Sequence, residues 1–248
     1  MNYPIFFDTK NSLNLFHLKE NFKLMLDLYL KQNLPKVLML TGNKGSGKST
    51  LINHFLYSIF DRDNYDNETF SISNNSTFLK QFQNNIFSNI IYINGADYKS
   101  VKIDDIRNLK KQILQSTISK KDRFIIFDDI EIFNQNSLNA LLKIIEEPSQ
   151  KNYFILINNK TKPLLETIKS RALEMKIILN EKQRLEIINK LVNLYKLDLI
   201  LDPKSSQLSP GNFVKFNFIC KEYDILPTNN FVKNLSLLLD IYKKKKIF

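Results

Sequence analysis

The sequence predicts an α/β fold, a five-stranded parallel sheet between helices, followed by a small all-helical domain and a short helical tail. Three observations predict it. Apolar runs suited to strands alternate with stretches of helical periodicity; the first run, Val37 to Leu40, enters a glycine-rich loop that opens a helix; and from Glu181 the apolar spacing is helical only. The expected domains are 1–179, 180–222 and 223–248.

Ser12 is the expected N-cap of a first helix carrying Phe22, Met25, Leu26, Tyr29 and Leu30 on one face and ending before Pro35. After the glycine loop, Leu51, Ile52, Phe55, Leu56, Ile59 and Phe60 keep helical spacing, which packs that helix on a sheet. Asp61 to Asn89, polar with scattered phenylalanines, reads as an insertion or long loop. Ile90 to Ile93 is a strand, Ile103, Ile106, Leu109 and Ile113 mark a helix, and Arg123 to Phe127 suits a central parallel strand. Asn136 to Glu147 is a helix stopped by Pro148, Tyr153 to Ile157 a buried strand, Leu164 to Lys169 a short helix and Leu173 to Leu179 the last strand. Beyond it, Leu185, Ile188, Leu191, Val192 and Tyr195 share a helix face before a break at Pro203, and a further helix follows Pro210. Phe231 to Tyr242 form the tail helix, with Lys243 to Lys246 where the helix dipole favours cations.

The loop after the first strand, Gly42-Asn43-Lys44-Gly45-Ser46-Gly47-Lys48-Ser49, satisfies G-x-x-x-x-G-K-[ST]. Gly42, Gly45 and Gly47 can take angles closed to other residues, so successive amides can converge on phosphate oxygens at the start of the next helix. Lys48 is positioned for β- and γ-phosphates and Ser49 for a bound Mg²⁺, with Thr50 completing the candidate set. The chain holds five glycines and three are in this loop, which argues against an ordinary turn. Some eighty residues on, Phe124-Ile125-Ile126-Phe127-Asp128-Asp129 ends an apolar run in two acids, the pattern needed to hold the metal at the tip of a neighbouring strand. ATP or ADP with Mg²⁺ is the expected cofactor, through Ser49 and Asp128.

Composition excludes other classes. With 43% hydrophobic residues in 248 the chain can bury a real core. The net charge of +11 suggests an anionic partner, but lysine and asparagine are abundant throughout, so charge alone does not identify nucleic acid. One cysteine, Cys220, and two histidines, His17 and His54, permit neither an internal disulfide nor a zinc site. A reducing cytoplasm is the expected home, since no window approaches the ~20 apolar residues needed to span a bilayer.

Asn139-Ala140-Leu141-Leu142-Lys143-Ile144-Ile145-Glu146-Glu147-Pro148 resembles the N-A-L-L-K-x-x-E-E-P helix of bacterial AAA+ clamp loaders. Thr167-Ile168-Lys169-Ser170-Arg171-Ala172 is similar to their T-I-x-S-R-C segment, with Ala172 in place of cysteine, and Lys102-Ile103-Asp104-Asp105-Ile106-Arg107 to their segment ahead of the acidic strand. The resemblance spans roughly residues 12 to 215 and implies an AAA+ P-loop NTPase fold with a helical lid. It implies that Arg171 is an arginine finger reaching a neighbouring subunit's ATP site, and that Asn158 or Asn159 is the polar sensor, Asn159 having the family's spacing to Ser170. The implied partners are the motor subunits and delta, the sliding clamp indirectly, and primer-template DNA in replication, with no membrane.

Departures from the ATPase pattern choose among subunits. Active sites of the family carry Asp-Glu; Asp129 is shorter by one C–C bond, so hydrolysis in this chain's own site is expected to be weak or absent, with Asp129 a minor catalytic candidate. Leu208-Ser209-Pro210-Gly211-Asn212 stands where motor subunits carry a sensor arginine, and its serine-proline-glycine form is typical of the delta-prime type. The family's helical collar has little chain left to form it after residue 222, and Asp61 to Asn89 holds no cysteine for the family's zinc module. The alternative is a freestanding or motor-type AAA+ ATPase; a small-molecule kinase would need a lid arginine set that is not identifiable.

Overall fold

The structure is a computed structural model that describes residues 4–73, 76–95, 121–148, 150–225 and 230–245. Its contacts divide the chain into two compact units, one of Met1–Asn43 and Gly47–Ile177, the other of Lys44–Ser46 and Ile178–Phe248.

In the first unit, α1 (Lys19–Leu30) leads to β1 (Val37–Thr41), α2 (Lys48–Phe60), β2 (Tyr65–Asp66), β3 (Ser71–Ile72), α3 (Thr77–Gln83) and β4 (Ile90–Asn94). Then follow β5 (Arg123–Asp128), α4 (Gln135–Ile145), β6 (Asn152–Asn158), α5 (Glu166–Lys169) and β7 (Leu173–Lys176). The sheet has the order β4-β5-β6-β1-β7, every pair parallel. β1, β5 and β6 are buried along their whole length, which is why they read as apolar runs rather than alternating strands.

Alternation along each strand divides the apolar side chains between two cores. Leu38, Leu40, Phe124, Ile126, Ile155 and Ile157 face α1 and α2, packing on Phe22, Met25, Leu51 and Phe55. Val37, Met39, Ile125, Phe127, Phe154 and Leu156 face the other way onto Leu138, Leu141, Ile144, Ile145 and Ile168 of α4 and α5. Helices thus cover both faces, and the parallel strands end together on one edge, where Thr41 pairs with Asn158 and Asp128 with Asn94. That edge is where open α/β sheets place their ligands.

Three expectations change. Ser12 caps no α-helix: α1 begins at Lys19 behind Leu18, which supplies no side-chain cap, and the Ser12 hydroxyl instead meets Thr50 on α2. Residues 61–89 are built rather than a loop. Ser76 caps α3 by accepting from Leu79 N, and Phe78 and Phe82 are buried against Tyr57, with Phe60 stacked on Phe78 and Phe87 edge-on to it. The phenylalanines that looked scattered recur at 78 and 82, one helical turn apart, and fill the first core. The last strand stops at Lys176 and is largely exposed, as an edge strand. The helix expected around Ile103 to Ile113, and the Lys102 to Arg107 segment, lie outside the described residues.

The second unit carries α6 (Glu181–Tyr195), α7 (Pro210–Glu222) and α8 (Phe231–Lys245). Asn180 and Gln183 form a reciprocal capping box at the start of α6, and Lys196 ends the helix in the left-handed conformation well before Pro203. Buried Arg184 joins Glu181 to the Leu208 and Pro203 carbonyls, and buried Asn217 Oδ1 accepts from Ile200 N and Leu201 N. The expected tail helix belongs to this unit; its Leu238 packs with Cys220 and Ile225. Among the described residues no helix is long and apolar enough to cross a membrane.

Candidate functional site

The glycine loop leaves β1 at Gly42, whose N–H donates to the Asn158 carbonyl at 3.2 Å and so joins the loop to the end of β6. Gly45 (φ 82°) and Gly47 (φ 93°) are left-handed, as the loop requires; Gly42 is not. Gly47 caps α2, and Lys48 is its first residue, buried, with Nζ donating to the Gly42 carbonyl at 2.7 Å and the Asn43 carbonyl at 2.8 Å. The ammonium therefore sits inside the loop at a helix N-terminus, where an anion is favoured. Asn43 and Lys44 are exposed and Ser46 is buried. Thr50 is turned away, its hydroxyl held by Ser12. Within the second unit, Gly211 N–H donates to the Gly45 carbonyl at 2.9 Å and the Ser209 hydroxyl to the Lys44 carbonyl. A Cβ on Gly211 would meet Gly45 Cα at 3.0 Å, so glycine fits there sterically, apart from any loss of a sensor side chain.

The acids at the end of β5 are wired to their neighbours. Asp128 Oδ1 accepts from Asp129 N–H at 2.8 Å and from Asn159 Nδ2 at 3.2 Å. Its Oδ2 accepts from the Tyr92 hydroxyl at 2.6 Å. Tyr92 stands on β4, its hydroxyl 3.4 Å from Thr9 Oγ1 and next to the Ser49 side chain. Burial, then the nearby Asp128 charge, push the Tyr92 phenol well above its ordinary pKa, so it stays a proton donor. Asp129 is buried in the left-handed conformation (φ 52°), with Oδ1 accepting from Asn159 Nδ2 at 2.7 Å.

Of the two asparagines left open by the sequence, Asn159 reaches the acid pair, whereas Asn158 Oδ1 accepts from Lys160 N–H in the following turn. Sequence reasoning missed Tyr92 and Glu131. Glu131 is 4% exposed, and both its oxygens accept from Asn159 N–H at 3.1 Å while Oε1 also accepts from Thr161 N–H and Oγ1. The available signal was its place between two isoleucines, Ile130 and Ile132, where a solvated acid is out of pattern.

The loop fits the phosphates of a nucleotide: left-handed Gly47, the N-terminus of α2 and the buried Lys48 ammonium are adjacent. The metal position fits poorly. Of the two groups assigned to Mg²⁺, Asp128 already accepts a hydrogen bond from the neutral Tyr92 phenol, which has the Ser49 side chain beside it.

Arg171 lies just after α5, away from this wiring. Nη2 pairs with Glu146 Oε1 at 2.8 Å, Nε donates to the same oxygen at 2.9 Å and Nη1 donates to the Thr167 carbonyl at 3.0 Å. Its side chain is 37% exposed and that of Glu146 45%. The structure thus ties together two of the three segments that carried the resemblance, through Glu146 at the end of α4 and Arg171 after α5.

A family model described as DNA polymerase III, delta subunit, matches residues 18–180. Among known proteins, the chain is 29% identical over 150 residues to the DNA polymerase III subunit delta' of Buchnera aphidicola (Schizaphis graminum), covering 58% of this chain and 46% of that protein. It is 26% identical over 222 residues to the DNA polymerase III subunit gamma of the same organism, covering 85% of this chain and 58% of that one. The chain spans about half the length of these relatives. Among solved structures, the RuvB Holliday junction branch migration motor of Thermotoga maritima is similar in fold, with a TM-score of 0.50 at 17% identity over 92% of this chain and 70% of that one. Domain III of the Thermotoga maritima replication initiation protein DnaA has a TM-score of 0.50 at 14% identity, covering 97% and 98%. The fold is α/β of the AAA+ type, and with the family model covering more than half its length, the chain belongs to the DNA polymerase III delta-subunit family, resembling delta-prime clamp-loader subunits at modest identity.

Proposed function

We propose that this chain works as a delta-prime-type subunit of the replicative clamp loader, supplying Arg171 to the ATP site of a neighbouring subunit. In this reading it assembles in the cytoplasm with the motor subunits and delta, and helps them place the sliding clamp on primer-template DNA. The observation that carries it is the state of Arg171. The guanidinium is at the surface, held by Glu146 and the Thr167 carbonyl rather than by the chain's own phosphate loop. An exposed pair of this kind is worth no more than about 1 kcal/mol, so a neighbour's phosphate can draw the arginine away.

The same chain binds ATP or ADP through Gly42 to Ser49, with Lys48 as the main charge, and turns it over barely at all, because Asp129 is one carbon short and held by Asn159. Lys48→Ala is expected to weaken nucleotide binding about 10- to 150-fold, roughly 1.5–3 kcal/mol. The match to a gamma subunit over 85% of the chain favours a second reading, a motor-type ATPase. Turnover separates the two. The full chain is mixed with its partner subunits, clamp and primed DNA, and ATP turnover is measured for the chain alone and for the mixture with and without it. Turnover near ~1 per second by the chain alone supports the motor reading. Clamp loading that proceeds unchanged when the chain is omitted contradicts both readings.

A further inference from the structure

We propose that the Tyr92 hydroxyl takes the place of the metal ion in this chain's phosphate site, so that nucleotide is held without help from Mg²⁺. The inference rests on the nucleotide-binding reading above and concerns how that site works. A metal in a phosphate-loop site is held on one side by the serine or threonine after the lysine and on the other by the acid at the tip of a neighbouring strand. Here Ser49 and Asp128 are those residues, and a single phenol donates to Asp128 Oδ2 at 2.6 Å with the Ser49 side chain beside it. Its one proton goes to Asp128 Oδ2, so the Ser49 and Thr9 hydroxyls face its lone pairs.

The remaining Asp128 oxygen is also engaged, by Asp129 N–H and Asn159 Nδ2. Tyr92 cannot drift out of this position easily. Its backbone is in β4, paired in register with Ile126 of β5, its ring packs against the first core, and Lys10 Nζ lies 5.3 Å above the ring centroid. A cation would have to displace a charge-assisted hydrogen bond and move a ring fixed in the sheet before it could reach its two ligands. Lys48 is bonded elsewhere, to the Gly42 and Asn43 carbonyls, and not to Tyr92 or Asp128.

The experiment is a titration of the full chain with a fluorescent ADP, in Mg²⁺ and in EDTA, for wild type, Tyr92→Phe and Tyr92→Ala. Phe removes only the hydroxyl; Ala also makes room for a hydrated ion. Thermal unfolding of each variant identifies any that does not fold, and either folded variant suffices. For wild type, affinities in the two media are expected to agree within about twofold, or to favour EDTA, because Mg²⁺ neutralises part of the charge Lys48 attracts. In the variants Mg²⁺ is expected to raise affinity by about tenfold, and Asp128→Asn added to Tyr92→Phe is expected to remove that gain. A tenfold gain from Mg²⁺ in wild type, or no gain in folded Tyr92 variants, overturns the inference while leaving nucleotide binding intact. No binding in either medium overturns the nucleotide reading and this inference with it.

Discussion

Two regions carry the residues on which the function of this chain turns, and they differ in how their polar groups are satisfied. At the tip of β5, Asp128, Asp129 and Glu131 are buried and bonded to Tyr92, Asn159 and Thr161, all within one unit. After α5, Arg171 is a third exposed and tied to a single half-exposed carboxylate. A buried network of fixed partners is costly to open, whereas a surface pair exchanges partners at little cost. The presence of motif residues therefore does not by itself decide where chemistry can happen: the acids are bonded to partners inside the chain, whereas Arg171 is held at the surface by Glu146 and the Thr167 carbonyl.

The sharpest way to break this comparison is at Glu131. Glu131→Ala strands the buried Asn159 N–H and removes the acceptor of Thr161 N–H and Oγ1, and is expected to cost roughly 2–4 kcal/mol of stability by denaturant unfolding, with Glu131→Gln losing less. A loss under about 0.5 kcal/mol would mean the acidic tip is not a structural network.

A second buried ionisable group sharpens the same point. His54, on the helix that follows the phosphate loop, has Nδ1 at 2.9 Å from the Tyr65 hydroxyl and Nε2 at 3.1 Å from the Leu13 carbonyl. Burial lowers its pKa to about 4, partly opposed by the Leu13 carbonyl. The folded state therefore keeps His54 neutral while the unfolded chain takes up a proton below about 6.5, so stability is present above that pH and falls as pH drops toward 4. Between pH 7 and pH 5 the loss attributable to His54 is expected to be about 2 kcal/mol, and to disappear in His54→Gln.

The smallest effect belongs to the other region. Glu146→Ala, which frees Arg171, is expected to change stability by less than about 1 kcal/mol, measured by the same unfolding. A larger loss would place the pair among the structural contacts and weaken the view of Arg171 as available.

Legibility in the sequence follows the same division. β1, β5 and β6 were readable because burial on both faces leaves long apolar runs, and the phosphate loop because its glycines and lysine are contiguous. Residues 61–89 were not, because α3 is short and its two core phenylalanines sit among asparagines and serines. Asp128 was legible from its strand, but Tyr92, its partner 36 positions earlier, was not, since cross-strand pairing is set by the sheet order and not by spacing along the chain. Glu131 was hidden for a related reason: its partners arrive from the turn after β6.

Arg171 is proposed to act outside its own chain. The direct measurement is DNA-stimulated ATP turnover by the assembled loader, reconstituted from the partner subunits, clamp and primed DNA with either wild-type chain or Arg171→Ala, with assembly checked by gel filtration. Negative charge grows on the γ-phosphate oxygens as the bond to the leaving group lengthens, and a held guanidinium stabilises that state more than bound ATP. Such fingers are worth ~10³- to 10⁵-fold in rate in well-studied NTPases, and a smaller loss is expected here because a ring has other intact interfaces. Normal assembly, unchanged nucleotide binding by this chain and a clear fall in turnover and clamp loading are expected. Wild-type turnover by a fully assembled Arg171→Ala loader would contradict the proposed role.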